Sequence, residues 1–363
     1  MSLYQLANKT LSYDLYQECV SETHFLRVLK FLFPWGEYAK PLLALAKNEH
    51  GGRPRIQPEV LLKMLFLGFL YNCSDREVEI LGNENIPTKY FLGLPINGKA
   101  PDHSLLSIFR DEVLELKGVE FFRSLFEQII IDAQKKGVVF GNVNALDSTH
   151  TLSLINGKTD THDVNTHGTK PKDPDASWGV KGHETKITPK GVKVPVLKTF
   201  YGYKAHLLSE TIHGLLTNFH VSTGSLSDLD GGDWLLHRIL TNEQRINIHT
   251  LLADKGYGCP VWINYLEKYD HILTAFSLPE TMTKRGEHKQ KWVDYTQNEG
   301  RQAYKRDRYM IERTNADLKE NHGLKRCRYR GLKKYFLQTA LSSIAHNVKI
   351  IVKLLTGARL QPA

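Results

Sequence analysis

The sequence predicts an α/β protein, in which a mixed sheet flanked by helices follows an all-helical N-terminal domain. Residues 1 to about 138 consist of apolar and amphipathic segments separated by turns, and the composition changes at Gly137–Gly141. Beyond that point, three strand-like segments precede an alternation of helices and strands, which is typical of a mixed sheet. We therefore expect a helical domain over 1–138, a sheet domain over 139–355 and a tail over 356–363.

The N-terminal domain contains clear helix boundaries. Pro58 can open an apolar helix, because proline is tolerated in a first turn. Ser74 and Glu77 have the spacing of a capping box, and Asp102 is placed to cap a further helix. Short helices separated by turns are typical of helix-turn-helix units, and the basic segment 51–56 resembles a DNA-contacting arm. The pattern equally fits a helical bundle that serves dimerisation, so DNA binding and dimerisation both stay open.

The sheet domain contains segments with strand and helix character. Strands are expected at 142–151, 196–208, 214–221, 249–254 and 271–276, and helices at 230–240, 260–268, 302–322 and 333–355. The polar segment of about 156–196 shows no periodic pattern, and we expect a long loop or insertion there. Loops of that length are often functional.

The positive charge is concentrated in one region. The chain has 48 Lys and Arg against 39 Asp and Glu, and residues 284–334 alone contain 16 basic and 7 acidic residues. This block therefore accounts for the whole net charge of +9. A localised basic block favours nucleic acid as partner over the alternative of a solvated helical face.

Composition excludes several other classes of protein. Hydrophobic residues make up 41% and charged residues 24% of the chain, which excludes a disordered protein. No apolar run approaches the roughly 20 residues that a membrane span needs, so we expect no membrane partner. The four cysteines lie far apart, which argues against a disulfide scaffold or zinc ribbon and favours a reducing compartment.

Three carboxylates occur where a sheet enzyme would place them. Asp147 lies inside an apolar strand, Asp254 ends another strand before a glycine-containing turn, and Glu312 lies on the helix expected at 302–322. Each has an ordinary alternative role: a turn or cap for Asp147, a helix cap for Asp254 and a surface ion pair for Glu312. Together they fit hard divalent cations such as magnesium, which take carboxylate oxygens and, in pairs about 4 Å apart, promote phosphoryl transfer.

These three positions occur in segments that resemble a known family. The segments ALDSTHT, LLADKGY and RYMIERTNADLKENHGLKRCRYRG are similar to the three motifs of the DDE transposases of bacterial insertion sequences. DPDASWG, YGYKAHLL and GSLSDLDGG resemble linking segments of the insertion sequence four/five-like group. The third family motif also has a Tyr three residues before its Arg; here residue 305 is Lys, and Tyr304 lies one residue further away.

The resemblance implies a fold, a chemistry and a set of site residues. The sheet domain would be RNase H-like, and Asp147, Asp254 and Glu312 would bind Mg²⁺, with Mn²⁺ as a substitute. The enzyme would cut double-stranded DNA at terminal inverted repeats and join the freed 3′-hydroxyl to target DNA. Arg308 and Lys319 match family positions that contact DNA phosphate. Further DNA-binding candidates are Lys255, Tyr257, Arg313, Lys325, Arg326 and Arg328.

The resemblance also implies a setting for the reaction. Synapsis of two transposon ends requires at least a homodimer on DNA. We expect the protein in the cytoplasm of a bacterium or archaeon, associated with the nucleoid.

Two alternatives to a transposase stay open. An RNase H-like nuclease would hydrolyse DNA without joining strands, and a DNA-binding regulator would use the N-terminal helices without catalysis. A zinc hydrolase is disfavoured, because none of the histidines has the helical spacing of zinc ligands. Asp228 is a second acidic candidate that could instead cap a helix, and His150 could line the cleft.

Overall fold

The computed structural model describes residues 12, 14–46, 55–187, 191–241, 248–268, 270–276 and 299–362. Two compact units make up the chain. One comprises residues 1–139 and 340–363, and the other comprises residues 140–339. Residues 51–54 of the predicted basic arm and residues 284–298 of the basic block lie outside the described residues. No helix of the described ranges is both long and apolar enough to cross a membrane.

The first unit is helical, as predicted. Its helices are α1 (Phe25–Leu32), α2 (Trp35–Ala39), α3 (Pro58–Leu70), α4 (Asp75–Glu84), α5 (Ile86–Leu92), α6 (His103–Lys117) and α7 (Glu120–Lys135). The apolar helix α3 begins at Pro58 and lies in the core, where Phe66 packs with Trp35 and Phe91. The capping box of Ser74 and Glu77 at α4 is confirmed, because both of its hydrogen bonds form.

The second unit is built on a six-stranded mixed sheet, which confirms the predicted fold class. The strands are β1 (Val143–Leu152), β2 (Ser177–Ile187), β3 (Lys193–Glu210), β4 (Leu216–Thr223), β5 (Thr250–Ala253) and β6 (Leu273–Phe276). β1 pairs antiparallel with β3 and parallel with β5, and β5 pairs parallel with β6. The long β3 pairs with β2 along its first half and with β4 along its second half. Antiparallel pairs therefore join β1, β2, β3 and β4, and the parallel strands β5 and β6 extend the sheet from β1.

Helices cover the sheet of this unit. They are α8 (Gly157–His167), α9 (Asp228–Thr241), α10 (Pro260–Lys268), α11 (Glu299–Asp307), α12 (Tyr309–Asn321) and α13 (Leu332–Thr356), the last of which continues into the first unit. α9 and α10 share an apolar core with β1 and β5, which includes Leu146 and Tyr257. Gly231 lets α9 approach the sheet closely, because a Cβ atom there would lie 2.1 Å from the ring of His206.

The segment of about 156–196, predicted to be a long loop or insertion, is not a loop in this structure. This segment contains α8 and β2, and β3 begins inside it at Lys193. The paired β2 and first half of β3 form an extended hairpin in which most side chains are exposed. A strand that is solvated on both faces lacks the apolar alternation by which strands are predicted.

A buried carboxylate fixes this inserted segment to the rest of the sheet. Asp173 is fully buried and accepts hydrogen bonds from Ser153 Oγ (3.1 Å), Tyr203 Oη (2.5 Å) and the Gly331 amide (3.2 Å). Asp175 accepts a hydrogen bond from the Leu332 amide at 2.8 Å, at the start of α13. The segments DPDASWG and RYRG of the sequence therefore meet in the structure.

The predicted continuous helix over 302–322 is interrupted. α11 ends at Asp307 and α12 begins at Tyr309, so Arg308 lies at the break. Gly323, with a φ of 76°, follows the end of α12 as predicted. The break matters for the site, because α12 carries Glu312.

Candidate active site

Asp147 and Asp254 directly follow the last residue pair of the parallel ladder between β1 and β5. The ladder between β1 and β5 ends with the pair Leu146 and Ala253, and each aspartate is the next residue of its strand. Neighbouring strands are about 4.8 Å apart, so the two carboxylates begin from close backbone positions. β1 continues to Leu152 while β5 stops at Ala253, so β1 has no β5 partner beyond Leu146, and Leu152 instead bridges to Arg326.

The turn after β5 explains the segment Asp-Lys-Gly-Tyr. Asp254 caps the short 3₁₀ turn Lys255–Tyr257 by accepting a hydrogen bond from the Gly256 amide at 2.8 Å. Tyr257 is only 1% exposed and packs in the core beside Leu146. The prediction that Tyr257 contacts DNA is therefore wrong in this structure, because its ring anchors the turn. Lys255 is exposed, as a DNA-binding side chain must be.

The surroundings of Asp147 disfavour the ionised form of its carboxyl group. Burial, followed by the nearby carboxylate of Asp254, raises the pKa of Asp147 to about 7. Arg308 and the backbone amide of Ser148 act in the opposite direction, and Asp228 contributes a smaller increase. Burial of the carboxyl group and the negative charge of a second carboxylate both disfavour its ionised form and account for this shift. Such a site gains from the binding of a cation.

Glu312 does not join the two aspartates in this structure. Its side chain is 57% exposed and pairs with Arg308, with 2.5 Å between Oε1 and Nη1. The oxygen atoms of Asp147, Asp254 and Glu312 are not among the described groups that lie within 4.8 Å of one another. The predicted convergence of three carboxylates is thus seen for the two aspartates only.

Asn315 occupies the position beside Asp147 instead. Its Nδ2 atom donates a hydrogen bond to Asp147 Oδ2 at 2.8 Å. Its Oδ1 atom is buried and has no hydrogen-bond partner. Asn315 follows Glu312 by three residues, so both project from one side of α12. The sequence analysis missed this residue, although its spacing from Glu312 was a usable signal.

Among the predicted DNA-binding residues, Arg308 and Lys319 interact electrostatically with Asp147. Arg308 interacts electrostatically with Asp147, Asp254 and Glu312. Lys319 is half-buried, and burial together with Lys181 lowers its pKa. The side chains of Arg313, Lys325 and Arg326 are exposed, Arg328 is half-buried, and Lys325 pairs with Glu320 at 3.1 Å.

Asp228 and Lys204 form an ion pair next to the aspartates. Asp228 begins α9, and its Oδ1 atom lies 2.8 Å from Lys204 Nζ. Lys204 also donates to the Leu226 carbonyl at 2.8 Å. The pair joins the segments YGYKAHLL and GSLSDLDGG, so Asp228 has a structural role in addition to its electrostatic effect on Asp147.

The two aspartates follow the last pair of a parallel ladder in a mixed sheet, and in such sheets binding sites form beyond the carboxyl ends of strands, so the class indicated is an α/β protein with a carboxylate-centred site. Residues 159–348 match the family model described as transposase DDE domain, and residues 14–112 match the one described as transposase domain (DUF772). The first match covers 190 of the 363 residues, and the chain therefore belongs to the DDE transposases. Asp254 and Glu312 lie within that match, and Asp147 precedes it.

Two further comparisons complete this result. No curated protein matches the chain. Among solved structures, the chain is similar to the piggyBac transposase in a cryo-EM structure of its synaptic complex with hairpin DNA. The sequence identity is 11% and the TM-score 0.46, over 95% of this chain and 78% of that one. Membership of the family makes this chain a DNA-cutting and DNA-joining enzyme, and DDE transposases generally use divalent metal ions.

Proposed function

We propose that this transposase cuts the ends of an insertion sequence of the four/five-like group and joins each 3′-hydroxyl to target DNA by two-metal phosphoryl transfer. Asp147, Asp254 and Glu312 are the proposed metal ligands and catalytic residues, with Mg²⁺ as the cation. The position of Asp147 and Asp254, each directly after the last pair of the β1–β5 ladder, supports the proposal, because two hard oxygen donors then start from neighbouring strands.

The residues of the site fit a divalent cation. Burial and the nearby carboxylate of Asp254 raise the pKa of Asp147 to about 7, and Arg308 offsets this only in part. The unpartnered Oδ1 atom of Asn315 is a further oxygen donor in the same place. When bound, magnesium would supply Lewis-acid stabilisation of the charge that develops on the scissile phosphate.

The side chains of α12 have distinct proposed roles. Arg308 and Lys319 hold the DNA backbone, since both are cations beside the aspartates. Glu312 is engaged by Arg308 in the free protein. A DNA phosphate that takes over Arg308 would release Glu312, which could then complete the ligand set. DNA binding would in this way assemble the active site.

Substitution of the three acids tests the proposal. Asp147→Asn, Asp254→Asn and Glu312→Gln each remove a charged ligand with little change of shape, so we expect loss of Mg²⁺-dependent strand cleavage and retention of DNA binding. Glu320→Gln is the matched control, because Glu320 is an exposed glutamate of the same helix. Cleavage by any of the three variants at the rate of the control would remove that residue from the active site.

The nuclease alternative differs in its product. A transposase transfers the labelled 3′-end of a cut DNA to a second DNA, whereas a nuclease only accumulates hydrolysed ends. A non-catalytic regulator would keep every activity after triple substitution. For the transposase we propose double-stranded transposon ends and target DNA as substrates, a homodimer as the smallest active form, and the bacterial or archaeal nucleoid as its location.

A further inference from the structure

The inserted hairpin presents a lysine beside the active site through a β-bulge. The register between β2 and β3 shifts between Val180 and Gly182, which leaves Lys181 outside the regular ladder. Gly182 has a φ of 116°, a conformation that favours glycine. The bulge therefore re-aims Lys181, whose Nζ atom lies 5.6 Å from the ring centroid of Phe200.

Phe200 connects this lysine to the strand of Asp147. Its ring centroid is 5.0 Å from that of His150, and His150 lies three residues after Asp147 on β1. Lys198 lies two residues before Phe200 on β3 and pairs with Gly182 in the ladder. Lys319 approaches the same place from α12, which contacts β1.

We call Lys181, Lys198 and Lys319 the ammonium cluster. Burial, followed by the charges of Lys319, Lys181 and Lys198, lowers the pKa of His150 to about 4, so the three lysines act on the same histidine. The lysines also oppose one another, since Lys198 contributes to the lowered pKa of Lys181, after burial.

Within the described residues, no carboxylate forms an ion pair with a lysine of the ammonium cluster. Lys204 interacts with the same histidine but pairs with Asp228 at 2.8 Å. Within the described ranges, none of the three cluster lysines forms an ion pair within 4.0 Å. A group of like charges destabilises a fold, so its presence needs a reason outside the fold. A cation–π contact explains the position of Lys181 alone, and contributes only about 0.5–1 kcal/mol at an exposed site.

We propose that Lys181, Lys198 and Lys319 bind the phosphodiester backbone of the DNA that enters the active site, with the hairpin of β2 and β3 as one wall of the DNA path. The proposal rests on the proposed function, because it takes the site beside Asp147 as the place of DNA cleavage. The cluster is open to solvent and spread over two strands and a helix, which suits an extended polyanion better than an enclosed small anion.

Salt-dependent DNA binding by the full-length protein tests this proposal. The probe is a fluorescein-labelled 40-base-pair duplex of arbitrary sequence, because phosphate contacts do not depend on sequence. Measurements without metal ions, at a series of KCl concentrations, give the slope of log K against log salt. Each lost phosphate contact should reduce the slope by about 0.9, so Lys181→Gln combined with Lys198→Gln should reduce it by about 1.8.

Two variants control for other effects of substitution. Lys186→Gln removes a lysine from the same strand, but one that already pairs with Glu184 at 3.0 Å, so the slope should stay close to that of the wild type. Lys181→Arg keeps the charge and should also keep the slope. The double variant should unfold at a temperature equal to or above that of the wild type at low salt, because repulsion within the cluster is relieved.

The outcomes separate this inference from the proposed function. A slope and affinity equal to those of Lys186→Gln, in a double variant that unfolds like the wild type, would overturn the DNA path along the hairpin. A reduced slope supports the path even if the wild-type protein fails to cleave, since binding is measured without metal. If cleavage depends on Asp147 but the double variant keeps the wild-type salt slope, the proposed function stands and only DNA binding by the ammonium cluster is contradicted.

Discussion

At the scale of single residues, the contact between Asn315 and Asp147 links α12 to the catalytic strand. The amide donates to one oxygen of a carboxyl group that is otherwise destabilised as an anion. A hydrogen bond to the charged form of a carboxyl group favours that form and fixes its orientation. Asn315 is therefore a positioning residue for Asp147, and its free Oδ1 atom also makes it a candidate ligand.

We expect Asn315→Ala to reduce Mg²⁺-dependent cleavage by about 10- to 100-fold, as is typical when a partner of a metal ligand is lost. The concentration of Mg²⁺ needed for half-maximal cleavage should rise, because Asp147 is less well oriented. DNA binding without metal should not change. A purely structural role would lower the amount of folded enzyme and leave the Mg²⁺ requirement as it was, and that result would contradict the assignment.

The raised pKa of Asp147 predicts a pH-dependent stability in the absence of metal. Its folded-state pKa of about 7 lies above the unfolded value of about 3.9, so the stability present at low pH is lost as the pH rises through 7. Asp254 and Asp228 increase this effect, and Arg308 decreases it. The amide side chain of the Asp147→Asn variant does not ionise, so this variant does not lose folding free energy as the pH rises.

In EDTA, Asp147→Asn should therefore unfold a few degrees above the wild type at pH 8, with a smaller difference at pH 4.5. Thermal unfolding followed by circular dichroism at both pH values measures this. The variant would be more stable than the wild type and inactive. An equal shift at the two pH values would show that packing, and not ionisation, separates the two proteins.

At the scale of elements, Asp173 joins three parts of the sheet domain. It accepts hydrogen bonds from Ser153, the residue that follows β1, from Tyr203 on β3 and from the amide of Gly331, which precedes α13. Removal of this fully buried carboxylate would take the acceptor from the Ser153 and Tyr203 hydroxyl groups, while the Gly331 amide would keep Tyr203 Oη as an acceptor at 3.2 Å. This network supports the base of the hairpin that carries Lys181.

Asp173→Ala should destabilise the protein by about 2–4 kcal/mol, because buried donors lose their acceptor. Asp175→Ala is the matched comparison, since it loses a single cap to the Leu332 amide and should cost only about 1 kcal/mol. Urea unfolding of both variants measures the difference. Equal losses would mean that the buried network stabilises the fold no more than one exposed cap does.

At the scale of the whole molecule, regular amphipathic elements were predictable and locally determined details were not. The strands that contain Asp147 and end at Asp254 could be predicted because both are buried and apolar. The strand β2 could not, because both of its faces are largely solvated. The helix break at Arg308 and the ion pair of Arg308 with Glu312 are local details that no periodic pattern encodes.

The sequence was sufficient to predict which residues form the site, but less so to predict how their side chains are arranged. Motif spacing indicated Asp147, Asp254 and Glu312, and the register of β1 with β5 brings the two aspartates together. Tyr257 was misassigned because a motif does not distinguish a buried anchor from a DNA contact. Lys181 was missed because its position depends on a β-bulge, which the sequence signals only through a glycine.

The most direct test of the account is the position of a metal ion in crystals soaked in Mn²⁺, located by anomalous diffraction. Crystals of the protein with a DNA duplex are preferred, because DNA is expected to draw Arg308 away from Glu312. The account predicts an anomalous peak between the carboxylates of Asp147 and Asp254, with Glu312 turned towards it. Manganese bound elsewhere, for instance at His162, Asp163 and His167, with no peak at the two aspartates, would contradict it.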